Sequence, residues 1–116
     1  PPQGDDVIIT SSRKDALCIW AQCGIPAVSL QSETASIKPQ VMEELKSRFK
    51  RVFILYDNDF KKDKNHGRIE GSKIATLFSI EQIEIPEAYG AKDPSDLYHK
   101  YGHETVKKLI YNLIRK

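Results

Sequence analysis

The sequence has no apolar run approaching the roughly 18 residues that a membrane-spanning helix requires. Nor does its start have the charged-then-apolar layout of a secretory signal. Cysteine is scarce: Cys18 and Cys23 are the two present, with four residues between them inside one apolar segment. That is not a usual zinc spacing, and no second Cys or His pair accompanies it, so buried free thiols in a reducing compartment are expected. Charge of one sign is lacking too. Lys and Arg number 18 against 16 Asp and Glu, a net charge of +2, so composition alone gives little support for an anionic partner. There is no internal repeat and no low-complexity tract. The 116 residues leave room for one domain and its core. An apolar share of 40% with 29% charged residues describes an ordinary globular chain, not a disordered one.

The apolar residues fall into alternating strand and helix patterns. Val7, Ile8 and Ile9 are a β-branched run, the pattern of a buried strand, and it stops at Thr10-Ser11-Ser12. Ala16, Leu17, Ile19, Trp20 and Cys23 then recur at helical spacing. Ser12 is a natural N-cap with Asp15 in the capping-box position, and Gly24 is the stop. "IPAVSL" predicts a second short strand. After the loop "QSETAS", a helix is expected from about Pro39 to Phe49, with Val41, Met42, Leu45 and Phe49 on one face and Pro39 in its first turn. Arg51 to Tyr56 reads as the third and most apolar strand. Ile69, Ile74, Leu77 and Phe78 predict a helix over about 68–79, and "EQIEIPE" alternates as an edge strand does. "DPSDLYHKYG" predicts a short capped helix and "HETVKKLIYNLI" an amphipathic one.

Strands alternating with helices predict an α/β fold: a central four-stranded, mainly parallel sheet with helices on both faces. Residues 1–6 read as an N-terminal linker, 7–102 as the domain, and 103–116 as a C-terminal helix expected to continue into a longer protein. In such sheets ligands sit outside the carboxyl ends of the strands. The loops at 10–15, 31–36 and 57–68 share that edge.

"RVFILYDNDFKK" places Asp57 and Asp59 at the end of the third strand. While the chain stays extended, residues i and i+2 point to the same side. Two carboxylates held together repel unless a cation lies between them or one keeps its proton. An oxygen-rich site of this kind suits Mg²⁺, which usually retains several waters. A surface turn is the plain alternative, since Asp and Asn are good turn formers. Asp15, one turn into the first helix, is placed to join the pair or simply to cap its own helix. Arg13 and Lys14 open that helix, whose N-terminus attracts phosphate. Lys61, Lys62, Lys64, His66 and Arg68 flank the acidic pair, where a solvated polar loop is the alternative reading. Metal-held carboxylates bordered by cations suit the binding and processing of phosphodiesters.

The blocks "VIITSSRKDALCIWAQCGIPAVSLQSE", "VFILYDNDFKK…GSKIA" and "KDPSDLYHKYG" resemble, in order, those of a Toprim domain. That fold is shared by bacterial primases, phage helicase-primases, type IA and type II topoisomerases and some nucleases. The resemblance spans residues 7 to about 102 and is closest to the primase branch, with its "EGxxD", "DxD", "G-R-x-A" and "KDP-D" blocks. Asp57 and Asp59 fall on the DxD carboxylates, and Asp15 on the aspartate of the first block. Gly71 and Ala75 fall on the following helix, after a longer insertion than primases carry. Lys92, Asp93, Pro94 and Asp96 fall on the "KDP-D" segment.

The resemblance implies RNA primer synthesis on a single-stranded DNA template, as part of a primase or primase-helicase in a bacterial or phage-infected cytoplasm. Asp57, Asp59 and Asp15 would act in catalysis and hold Mg²⁺ or Mn²⁺. Ser11, Ser12, Arg13, Lys14, Lys61, Lys62, Lys64 and Arg68 would contact phosphates. Implied partners are the template, nucleotides, and helicase or other replication proteins. The reaction would also need a neighbouring polymerase subdomain and a zinc-binding module. One departure is prominent: the glutamate of the first block would fall on Ser11 and its glycine on Ser12. A serine hydroxyl carries no charge and has too high a pKa for the glutamate's acid/base or metal-binding duty. Three outcomes follow: metal held through the aspartates alone, Glu33 standing in as the missing ligand, or a non-catalytic module that binds nucleic acid or a protein partner. A Toprim nuclease or topoisomerase is a further alternative.

Overall fold

A computed structural model describes residues 4–29, 38–60 and 63–115. Four strands, β1 (Gly4–Thr10), β2 (Ala27–Ser29), β3 (Phe49–Leu55) and β4 (Glu81–Ile83), form one sheet in the order β2-β1-β3-β4. Every neighbouring pair is parallel. The helices are α1 (Arg13–Cys23), α2 (Pro39–Arg48), α3 (His66–Phe78), α4 (Pro94–Tyr101) and α5 (His103–Ile114), with a 3-10 turn at Glu87–Tyr89 before α4.

Side chains alternate across the two central strands, and each set meets a different helical layer. Val7 and Ile9 of β1 and Val52 and Ile54 of β3 pack with Met42 of α2 and Ile74 of α3. Ile8, Phe53 and Leu55 point the other way, into Ile19 of α1, Leu97 of α4, and Val106 and Ile110 of α5. Burial on both faces is why these strands read as unbroken apolar runs. Ile8, Ile9, Phe53 and Ile54 are at most 1% exposed, each contributing about 1.5–3 kcal/mol of hydrophobic burial.

Helix boundaries follow the local chemistry. The Ser12 side chain accepts from the Asp15 N–H, and Gly24 ends α1 in the left-handed region at φ 69°. Phe49, expected to close α2, is instead extended (φ −127°, ψ 143°) and begins β3. It still enters the α2 side of the core. α3 starts earlier than expected because the Asn65 side chain accepts from the Arg68 N–H and serves as N-cap. Trp20 and Leu77, counted into the apolar stripes, are 50% and 67% exposed. The buried stripe of α1 runs through Asp15, Ala16, Ile19 and Cys23, which leaves Trp20 beyond its margin.

β1 begins at Gly4, paired with Phe49, so residues 4–6 belong to the sheet and not to a linker. Arg51 donates from Nε and Nη2 to the two Asp6 carboxylate oxygens and from Nη1 to the Ile114 carbonyl. The guanidinium thereby ties the end of α5 to the start of the sheet. α5 is part of the same core, with Val106 and Ile110 fully buried. Cys18 is half-buried and Cys23 buried, both as free thiols. None of the described helices is long and apolar enough to cross a membrane.

Candidate metal and phosphate site

Three chain segments meet at the carboxyl end of the sheet. β1 ends at Thr10, whose hydroxyl donates to the Ser12 carbonyl at 2.7 Å and turns the chain into α1. β3 ends at Leu55, and the chain continues through Asp57, Asn58 and Asp59 towards α3. The third segment, Ala91–Asp93, leads into α4, which Asp93 caps by accepting from the Asp96 N–H at 2.7 Å. Asn58 is fully buried. Its N–H donates to the Lys92 carbonyl at 2.7 Å and its side-chain amide to the Ile85 carbonyl at 2.8 Å. The second and third segments are thus stitched together beside the cluster.

Asp15, Asp57 and Asp93 each offer a carboxylate oxygen, and these oxygens lie within 4.8 Å of one another. Asp15 and Asp93 are 2% exposed; Asp57 is half-buried. Asp15 is heavily hydrogen-bonded. One of its oxygens accepts from the Ser95 hydroxyl at 2.9 Å and the Ser95 N–H at 3.3 Å, the other from the Ser12 hydroxyl at 2.8 Å. It also lies against the N-terminus of α4, a favourable place for a negative charge. Asp57 receives a bond from the Ser11 hydroxyl at 3.1 Å. Burial pushes the Asp57 carboxyl up to about 6, Asp93 and Asp15 add to the rise, and the Ser11 bond works against it.

The donor set fits a hard divalent cation. Mg²⁺ binds oxygen at 2.0–2.1 Å, so two directly bound oxygens can stand at most about 4.2 Å apart; Ca²⁺, at 2.3–2.6 Å, allows about 5 Å. With oxygens up to 4.8 Å apart, the set could meet a larger cation such as Ca²⁺ directly, or a smaller one such as Mg²⁺ through part of the set and retained water. Without a cation, burial first and the neighbouring carboxylates second keep the Asp57 pKa raised, at about 6.

The structure brings Asp57 and Asp15 together with Asp93, but it does not bring Asp59 with them. Asp59 accepts from the Gly67 N–H at 3.0 Å and its own N–H donates to the Asn65 side chain at 2.8 Å. It serves the N-terminus of α3. Ser11 and Ser12 line the edge beside the cluster, and Arg13 is exposed at the start of α1. Lys14 reaches into the cluster, with Nζ 3.3 Å from Asp93 and 4.0 Å from Asp15. Burial works to lower its pKa, but the Asp15 and Asp93 charges outweigh this and the net direction is up. Lys64 and His66 are exposed. Arg68 is engaged elsewhere: it forks onto Glu84 at 2.9 and 2.7 Å. Glu33, Lys61 and Lys62 lie outside the described residues.

Asp93 was not among the expected ligands, although "KDPSD" carried it in plain view. An Asp before Pro reads first as a helix cap, which it also is. Gly67 shapes the same edge. A Cβ there would lie 1.9 Å from the Asp57 carbonyl oxygen, so α3 can approach the acidic loop only because residue 67 has no side chain.

No protein-family profile matches the chain, and no curated protein shows significant similarity to it. Among solved structures it is similar to a small TOPRIM domain protein from Bacillus stearothermophilus, with 19% sequence identity and a TM-score of 0.56. The match covers 95% of this chain and 89% of that one. Together with the all-parallel four-stranded sheet, this establishes a Toprim-like α/β fold.

Proposed function

We propose that this chain is a divalent-cation-binding module that engages the phosphates of nucleic acid or nucleotides, and that it serves a primase-type replication protein. The observation that carries the reading is the convergence of Asp15, Asp57 and Asp93 at the ligand-binding edge of the sheet. A cation there would bridge protein carboxylates and phosphate oxygens. Exposed cations on the same edge, Arg13 and Lys64, would hold the rest of a polyanion. The primase assignment is supported by the order of the "SSRKD", "DND", "GSKIA" and "KDPSD" blocks. Primer synthesis would take place only with a polymerase subdomain beside this one.

A second reading, binding without chemistry, is favoured by Ser11. It supplies a hydroxyl hydrogen bond to Asp57 at the position where the primase pattern has a glutamate, so the site carries one negative charge fewer.

The test is calorimetric titration of Mg²⁺ and Mn²⁺, followed by single-stranded DNA binding with and without metal. Both should depend on Asp57. Absence of Asp57-dependent metal binding at millimolar concentration would overturn the proposal. Metal-dependent DNA binding, with no dinucleotide formed when the full-length protein is supplied with template and nucleotides, would select the non-catalytic reading.

A further inference from the structure

We infer that Lys14 is a tethered counter-ion of the carboxylate cluster, displaced when a divalent cation enters and thereby released to contact phosphate. The inference rests on the reading of Asp15, Asp57 and Asp93 as a cation site, and it assigns to Lys14 a role beyond that of a simple phosphate contact.

The geometry is asymmetric. The Lys14 side chain is 65% exposed, whereas the carboxylates it serves, Asp93 and Asp15, are 3% and 2% exposed. A flexible stem thus carries a compact ammonium from solvent to the mouth of a buried acidic site. Buried carboxylates need compensating partners. Asp15 is served by the Ser12 and Ser95 hydrogen bonds. Asp93 gives one oxygen to the Asp96 N–H and the other to Lys14. A metal ion that draws on the second Asp93 oxygen competes with the ammonium for it. A divalent ion would bring twice the charge of the ammonium to the same carboxylates.

Once displaced, Lys14 remains anchored in the first turn of α1, where the backbone N–H groups and the helix dipole already favour anions. Cation entry therefore adds a mobile positive charge to the phosphate-binding edge, and the two events favour each other. By linkage, a bound phosphate must raise cation affinity by the same factor.

The experiment is titration of Mn²⁺ into the whole chain, comparing wild type, Lys14→Met, Lys14→Arg and Asp57→Asn, each then titrated with pyrophosphate. Without phosphate, Lys14→Met should bind Mn²⁺ about two- to fivefold more tightly than wild type, the range expected for removing a partly exposed competing charge. Lys14→Arg should remain close to wild type. In the Mn²⁺-loaded state, Lys14→Met should bind pyrophosphate about threefold or more weakly. Unchanged or weaker Mn²⁺ binding in Lys14→Met, alongside loss of binding in Asp57→Asn, overturns the displacement role and leaves the cation site standing. Absence of Mn²⁺ binding in wild type and Lys14→Met alike overturns both.

Discussion

The backbone N–H of Asn58 donates to the carbonyl of Lys92 at 2.7 Å, joining the loop that carries Asp57 to the segment that carries Asp93. The Asn58 side chain secures the same junction, donating to the Ile85 carbonyl at 2.8 Å and accepting from Asn65 at 2.6 Å. Asn58→Ala should destabilise the fold by about 2–4 kcal/mol, because it strands buried partners and leaves a void. Denaturant unfolding measures this, and a loss below about 1 kcal/mol would contradict the role.

Gly67 and Gly71 both lie in α3, but the space around them differs. A Cβ at Gly67 meets the Asp57 carbonyl oxygen at 1.9 Å, whereas at Gly71 the close neighbour is the Gln82 side-chain nitrogen at 2.8 Å. A flexible side chain can move aside more readily than a backbone carbonyl. Gly67→Ala should cost about 2–4 kcal/mol and Gly71→Ala less than about 1. Scanning calorimetry of the two variants would refute this if their melting temperatures fell equally.

Raising Asp57 to about 6 fixes the sign of a pH effect. The folded state holds this proton more tightly than the unfolded chain, so the contribution is full below the unfolded value near 3.9 and is lost as pH rises through about 6. At pH 7 without metal, Asp57→Asn should therefore stabilise the protein by roughly 1–2 kcal/mol after solvent screening. The gain should vanish near pH 4. Thermal unfolding at both pH values checks this.

At the proposed cation site the same group should govern metal affinity. Because a cation requires the ionised carboxylate, the apparent affinity should fall about tenfold for each pH unit below 6. Asp57→Asn and Asp93→Asn should each weaken Mn²⁺ binding by about tenfold or more at pH 7. Asp59→Asn retains an acceptor for the Gly67 N–H and should weaken it less than about threefold. Titration calorimetry across the series would refute this ordering if Asp59→Asn proved the most damaging.

Lys61 and Lys62 are expected to contact phosphates of a single strand. Replacing both by Ala should lower single-stranded DNA affinity and reduce the slope of log K against log salt by about 1.4. Fluorescence anisotropy over a salt series measures the slope, and an unchanged slope would remove these lysines from the interface.

Much of the fold was legible because its signals are local. The β-branched run Val7–Ile9 and the apolar stretch of β3 are sandwiched between helices, and that burial required them to be continuous. Ser12, Gly24 and Pro39 mark helix ends through chemistry confined to a few residues. Boundaries shifted where two elements met without a turn: Phe49 leaves α2 and enters β3 with no loop between, so its apolar side chain satisfied either assignment. The expectation of helices on both faces of a parallel sheet agrees with the structure.

The sequence by itself determined that acidic groups would crowd the carboxyl end of this sheet, since strand, helix and loop order bring Asp15 and Asp57 to one edge. Tertiary structure decided which groups keep company there. The same-side rule for Asp57 and Asp59 holds only along an extended strand, and β3 ends at Leu55. Asn58 then turns inward to bind Ile85, Asn65 and Lys92, and Asp59 swings to the N-terminus of α3. The vacated side is occupied by Asp93, carried in by α4 from a distant stretch of chain, with Lys14 reaching across from α1.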